Sequence, residues 1–361
     1  MKNHKRLILL GWFLAASVAA QELPVIDPDR KEADPLFSSH DLLEVTITVP
    51  VERLMDERPL EEEFPGTISY VDQSGATVAV DIEIRTRGRY RRQERICPFP
   101  PTRIDFKKKQ TDGTVFDKQD KLKLVGHCRH GGRYEQLVLK EYLAYRFFNE
   151  LTDNSFRVRL LRINWVDSDD PEQLANPKEE GSTYYGFFIE HRDRMAKRIG
   201  REPLKIPRTS VAELEPEYTN LTSVFQYFIA NTDFSPILGA ADDFCCHNTN
   251  LFGRRGELLW SIPYDFDMAG MVDAPYATPN EKFRIRSVRQ RLYRGRCVNN
   301  EYLPQTLDLF REKKAAFYAL VENQQDLSNS SRKSMLSLMD RFYDLIDDER
   351  AVKKRIADAC I

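Results

Sequence analysis

Residues 221–267 read LTSVFQYFIANTDFSPILGAADDFCCHNTNLFGRRGELLWSIPYDFD. Leu221, Val224, Phe225, Phe228 and Ile229 recur at helical spacing, which predicts a buried helix running up to Asn231. Asn231, Thr232 and Asp233 end it, because Asn and Asp side chains bond nearby backbone groups and favour loops over helix interiors. A loop leads to Asn248, Thr249 and Asn250. A hairpin turn is expected at Gly253–Gly256, then an apolar strand over Leu258–Pro263, then Tyr264, Asp265, Phe266 and Asp267. Helix, Asp, Asn, hairpin, Asp is an order able to aim three oxygen-bearing side chains at one hard cation.

That order resembles the catalytic segment of the protein-kinase superfamily, in the branch of the spore-coat-H (CotH) kinases, with HipA-type kinases as more distant relatives. The resemblance implies an α+β, two-lobed protein-kinase-like fold, with a strand-rich N-terminal lobe at 41–190 and a mainly helical C-terminal lobe at 191–361. It implies Asp233 as catalytic base, Asn248 or Asn250 as metal ligand, and Asp265 as the second metal-binding Asp, with Asp267 as its assistant. Protein kinases place the Asn about five residues after the Asp. Here Asn248 lies fifteen after Asp233, so the intervening residues must loop out.

The N-terminal half reads as strands. Val45, Ile47 and Val49 alternate, Ile68 and Tyr70 follow, and Val78, Val80, Ile82 and Ile84 alternate again beyond a turn at Asp72–Gly75. The last of these runs into an arginine-rich segment, Arg85–Arg92, and then a strand at Thr102–Phe106. In the resembled family an Arg-Gly segment and an Arg-Ile-Lys strand cover the nucleotide, which implies phosphate-binding roles for Arg87, Gly88 and Arg103. Arg forks onto phosphate oxygens and Gly lets backbone approach them. Asp105 stands where the family has Lys, so Arg103 or Lys123 on the next strand is the substitute cation. A solvated basic surface is the plainer account of the same run.

Tyr134–Leu151 reads as an amphipathic helix, with Leu139, Leu143, Phe147 and Leu151 in one stripe. Glu141 lies off that stripe. The resemblance makes it the partner of Lys123 or Arg103. Strands are expected at Val158–Trp165 and Thr183–Glu190, separated by a polar loop around 167–180, and the resemblance puts Glu190 at an adenine-binding hinge. A basic stretch at Lys282–Arg296 either faces an acidic substrate or pairs with neighbouring acids. Two long helices, Thr306–Gln324 and Ser331–Ile361, close the chain.

Lys2, Lys5 and Arg6, the apolar run Leu7–Ala20 and the small residues Val18, Ala19 and Ala20 read as a signal peptide over 1–20, cut before Gln21. Residues 21–40 read as a loose lead-in. The expected mature protein is exported, periplasmic or extracellular, with no stable membrane anchor. Its formal charge, −2 before the cut and −5 without those three cations, argues against nucleic acid as a partner. Six cysteines in an exported chain suggest disulfides, and six allow about fifteen pairings among which sequence does not choose. Adjacent Cys245 and Cys246 are expected to reach elsewhere, since bonding to each other strains the chain. A zinc site using them with His247 is the rival, but the chain has no CxxC pair.

The function implied is a kinase that moves a phosphoryl group from ATP to a protein or small-molecule substrate with Mg²⁺ or Mn²⁺. Such transfer needs metal ions on the phosphates, a carboxylate orienting the attacking hydroxyl, and basic donors on the phosphate oxygens. Two accounts compete: a catalytically inactive kinase-fold envelope protein serving binding or assembly, and a metal-dependent hydrolase using the same acids.

Overall fold

Alternating apolar residues build the first half of the chain into strands whose buried faces meet. The computed structural model describes residues 32–107, 109–170, 172, 183–239, 243–254 and 256–361. The expected signal peptide and most of the polar loop at 167–180 lie outside the described residues. The strands are β1 (Leu43–Val49), β2 (Phe64–Val71), β3 (Thr77–Thr86), β4 (Thr102–Phe106), β5 (Lys121–Val125), β6 (Val158–Asp167) and β7 (Thr183–Ile189). A short helix, α1 (Val51–Glu57), separates β1 from β2, and α2 (Gly132–Leu151) separates β5 from β6.

The seven strands form a closed barrel in the order β1-β2-β3-β4-β5-β7-β6. This overturns the expected two-lobed protein-kinase-like fold: the chain is of mixed α and β content organised on a closed seven-stranded barrel. Closure rests on β1 lying parallel to β6, from Leu43 opposite Leu161 to Val49 opposite Asp167. Every other neighbouring pair in the barrel is antiparallel. Period-two alternation shows that a strand has one buried face, but an open sheet and a closed barrel share that pattern. Ile47, Ile68, Ile82, Ile104, Leu122, Leu161, Ile163 and Phe188 share one buried cluster, the barrel's filling.

A second cluster spans the barrel's other face and the helices. It joins Val158, Leu160 and Phe187 to Leu139, Leu143 and Phe147 of α2, and then to the C-terminal helices. These are α3 (Arg192–Arg198), α4 (Pro216–Phe228), α5 (Leu303–Asn323), α6 (Asn329–Ile346) and α7 (Glu349–Arg355). Phe228 is the hub: its ring lies 5.6 Å from Phe147, 5.3 Å from Phe317 and 5.0 Å from Phe342. Truncating such a side chain to Ala costs about 3–5 kcal/mol. The expected helix at Ser331–Ile361 is broken, because the Asp348 carboxylate accepts from the amides of Arg350 and Ala351 and starts a new helix there.

A small sheet, β8 (Glu202–Pro203), β9 (Thr249–Gly253) and β10 (Trp260–Pro263), carries the hairpin expected around Gly253–Gly256. No helix among the described residues is long and apolar enough to cross a membrane. Disulfides join Cys97 to Cys128 and Cys297 to Cys360. The third joins Cys245 to Cys246, which corrects the expectation that neighbours reach elsewhere. The peptide bond between them is cis, with Cα atoms 3.0 Å apart. The disulfide also removes both thiolates from the zinc reading.

Candidate active site

Asp233 stands on the loop that leaves α4, where Ala230 turns the chain with a left-handed φ of 54°. Its amide donates to Asn231 Oδ1 at 2.9 Å. The residues between Asp233 and Asn248 loop out and return, so that Ser235 bridges His247. Both Asp233 oxygens are met on that return. His247 Nε2 lies 2.8 Å from Oδ1, and Asn248 Nδ2 donates to Oδ2 at 3.0 Å and to the Asp233 carbonyl at 2.7 Å. Arg294 donates to the carbonyls of Thr232 and Phe234, on either side of Asp233. The carboxylate is nonetheless about one-third exposed, at 35%. Its bond raises the His247 pKa above the ordinary imidazole value, with Asp233 charge and then Asp265 charge adding to the effect against burial.

Beyond the hairpin, Asp265 also has a left-handed φ, 61°, and its amide donates to Tyr145 Oη at 2.8 Å. Arg91 is the centre of the acids there. Its guanidinium reaches Asp265 at 3.2 Å, Asp267 at 3.1 Å and Glu141 at 3.6 Å, and its side chain is 10% exposed. Burial opposes its charge, but Asp267, Tyr276, Glu141 and Asp265 outweigh it and hold the guanidinium pKa well above its ordinary value. Burial pushes the Glu141 carboxyl up to about 8, against Arg91 and with Asp267 and Asp265 adding to the rise. Burial likewise pushes Asp267 up to about 6, against Arg91, with Asp265 and Asp233 repelling its charge. The charges of Asp233 and Asp265 thus both act on Asp267 and on His247.

Lys123 on β5 lies 4.2 Å over the Tyr264 ring. Among the described residues no hydrogen bond or ion pair engages its ammonium. Burial lowers its pKa to about 8, repulsion from Arg87 adds to the fall, and Asp265 opposes it. Arg87, whose Nε donates to the Thr102 carbonyl at 3.2 Å, is lowered by burial first and supported by Asp265. Gly88 has a left-handed φ of 83°, while a Cβ there would meet nothing within 4 Å, so it is the backbone turn that favours glycine.

The structure thus brings together Asp233, Asn248, Asp265, Asp267, Glu141, Lys123 and Arg87. Three expectations need correction. Glu141 pairs with Arg91 and not with Lys123 or Arg103, because Arg91 fills the space among the acids. Arg103 forks onto Asp105 with two bonds of 2.6 Å, so the acid next to it on the strand face takes its charge. Glu190 is a buried structural group: Arg198 forks onto it at 2.9 Å twice and the Arg157 amide donates to it at 3.1 Å. Asn250 sits on β9 opposite Ile262, and no hydrogen bond joins it to Asp233 or Asp265 among the described residues. Of the basic stretch, Arg291 and Arg294 are spent on main-chain carbonyls.

Sequence did not single out Arg91 within the Arg85–Arg92 run, and it offered His247 only as a zinc ligand, not as a partner of Asp233. The signal for Arg91 was a run of cations leading into buried acids, and for His247 its place beside Asn248. Among the described residues no group of three or more His, Cys, Asp or Glu side chains is set to hold a metal ion. Mg²⁺ at phosphate sites usually takes one or two carboxylates plus substrate oxygens and water, not a protein cage. Asp265 and Asp267 are two such carboxylates, and Arg91 lies 3.2 Å from the first and 3.1 Å from the second. No protein-family model matches the chain, and no curated protein matches it.

Proposed function

We propose that the protein is an exported phosphotransferase, taking a phosphoryl group from a nucleotide such as ATP to a hydroxyl on a protein or small molecule. The observation that carries this is the grouping of Lys123, whose ammonium lies 4.2 Å over the Tyr264 ring, with the neighbouring acids Asp265 and Asp267 and a partly exposed carboxylate at Asp233 held by two partners. The reading keeps the resemblance to spore-coat-H kinases for this set of side chains and not for the two-lobed fold.

Lys123 and Arg87 are the donors for phosphate oxygens. Asp265 and Asp267, with Asn248 nearby, supply the protein oxygens for Mg²⁺ or Mn²⁺, whose charge would neutralise the phosphates. Asp233 orients the attacking hydroxyl and receives its proton, while His247 and Asn248 fix the carboxylate in direction. Glu141 and Arg91 hold the acids in place. The disulfides are compatible with an oxidising compartment. Periplasmic or extracellular location, after removal of 1–20, completes the proposal, and the mass of the secreted chain tests whether it begins at Gln21.

The test is a thermal melt with ATP, with and without Mg²⁺, followed by a transfer assay on Asp233→Ala. Mg²⁺-dependent protection and loss of transfer in the variant are expected. A second reading, nucleotide binding without transfer, is favoured by Arg91 lying against the two acids a metal would use. Protection by ATP that ignores Mg²⁺, with no transfer, would select it. Metal binding that ignores ATP would point to a hydrolase.

A further inference from the structure

The basic stretch divides in two. Residues 282–296 hold seven cations and no acid, in a chain whose formal charge is −2. Most of its second half is spent inside the molecule. Arg289 meets Asp273 at 3.3 Å and Ser334 Oγ at 2.9 Å, and Arg291 and Arg294 donate to main-chain carbonyls. The first half is different. Lys282, Arg284 and Arg286 are exposed, and among the described residues no hydrogen bond or ion pair engages their side chains. Phe283 and Ile285, which alternate with them, are half-buried. The backbone that presents the three cations is held from within the stretch. The Lys282 amide donates to Asn280 Oδ1 at 3.0 Å and the Arg286 amide to Gln290 Oε1 at 3.2 Å.

This row of cations is fastened to the loops that carry the acids. The Arg294 guanidinium lies 4.5 Å from the centre of the Phe283 ring and 4.7 Å from that of Phe234. It also donates to the carbonyls of Thr232 and Phe234, on either side of Asp233. Further along, the stretch presses on Gly270, three residues after Asp267, where a Cβ would come within 2.3 Å of the Val288 carbonyl oxygen. An ordered patch of one sign steers a partner of the other sign toward it. We propose that Lys282, Arg284 and Arg286 form the docking surface for an acidic polypeptide, whose carboxylates sit on these cations while a neighbouring hydroxyl reaches Asp233. Arginine forks match carboxylates. The proposal rests on the phosphotransfer reading and narrows its acceptor to a hydroxyl flanked by Asp or Glu. The negative charge of the whole chain favours such a partner over nucleic acid, whose binders carry a basic surplus.

The probe is a fluorescent peptide of glutamates around one serine, read by anisotropy on the full chain, with glutamine and lysine versions as controls. The glutamate peptide should bind, more weakly as salt rises, and the other two should not. Lys282→Gln, Arg284→Gln and Arg286→Gln together should weaken it by roughly tenfold, the sum of three exposed pairs. Lys107→Gln, Lys109→Gln and Lys118→Gln remove as many exposed cations from the loop between β4 and β5 and should leave binding unchanged. Both triple variants should melt with the native protein, since exposed changes of this kind barely touch stability. With ATP and Mg²⁺, the first triple variant should raise KM for the peptide while kcat stays within about twofold. Transfer to all three peptides with equal KM overturns this inference and spares the phosphotransfer reading. Binding on these three cations with no transfer does the reverse. The inference also falls if the two triple variants bind alike, or if single-stranded oligothymidylate displaces the peptide from the same cations.

Discussion

His247 Nε2 sits 2.8 Å from Asp233 Oδ1, and the Asn248 amide holds the other carboxylate oxygen. The insertion that separates Asp233 from Asn248 in sequence therefore returns with a second partner for the acid. Asp233→Ala is expected to lower transfer by about 10²–10⁴-fold, the range for a lost general base. Its melting temperature should hardly move, because the side chain is 35% exposed. His247→Ala should cost roughly tenfold to a hundredfold, as removal of an orienting partner does. Steady-state rates with melts alongside check both, and a native rate in Asp233→Ala would remove it as base.

Lys123 is charged below about 8 and neutral above it. Its ammonium is the form that attracts phosphate. ATP affinity is expected to fall as pH rises through that value, and Lys123→Met should be weaker throughout and lack this inflection. Calorimetric titrations at pH 7 and 9 measure it. A bound phosphate will move the inflection upward, because an opposite charge favours the ammonium.

Arg91 compensates Glu141, Asp265 and Asp267 at once. Arg91→Met strips the ion pair from Glu141 and Asp267, which are buried, and from Asp265, which is 30% exposed, and is expected to destabilise the fold by about 3–5 kcal/mol. Mg²⁺ should return part of that loss and stabilise the variant more than it does the native protein. Urea melts with and without Mg²⁺ give the comparison, and equal Mg²⁺ effects would speak against Asp265 and Asp267 as its ligands.

His127 is 1% exposed and stacked at 3.8 Å on Tyr184. Burial, with His130 adding repulsion, lowers its pKa to about 3. The folded state thus resists a proton that the unfolded chain binds near pH 6.5. The stability it contributes is complete above that pH and is lost as pH falls toward about 3, by up to about 1.4 kcal/mol per unit. His127→Phe should show a flatter profile in melts between pH 7 and 4.

Cys297 and Cys360 are 63 residues apart, and their bond ties down the C-terminus, where Ile361 also exchanges backbone hydrogen bonds with Gly295 and Cys297. Replacing both with Ser should cost about 4 kcal/mol on the loop-entropy estimate. Chemical denaturation measures the loss, and thiol counting on the native chain should find no free cysteine.

Local periodicity made much of this legible. Leu139, Leu143 and Phe147 announce α2, and the alternation at Val78–Ile84 announces β3, because each pattern depends only on neighbours in the chain. The order of helix, loop and hairpin made legible the elements that carry Asp233 and Asp265. Barrel closure was not, since nothing in Leu43–Val49 names β6 as its second partner. The partner of Glu141 was hidden for a related reason. Several arginines lie between Arg85 and Arg92, and only the fold decides that Arg91 enters the acids while Arg85 turns to Glu63. Arg103 and Glu190 looked available because a sequence does not show that Asp105 and Arg198 take them.

The parallel seam between β1 and β6 has a consequence for how the molecule is made. β1 finds β2 almost at once, but its far side stays bare until a segment more than a hundred residues downstream emerges. Such distant pairing slows folding, and a raw strand edge is an invitation to aggregation meanwhile. A chain delivered across a membrane in order, N-terminus first, would need a chaperone or a slow escort at its receiving side until that seam is sewn.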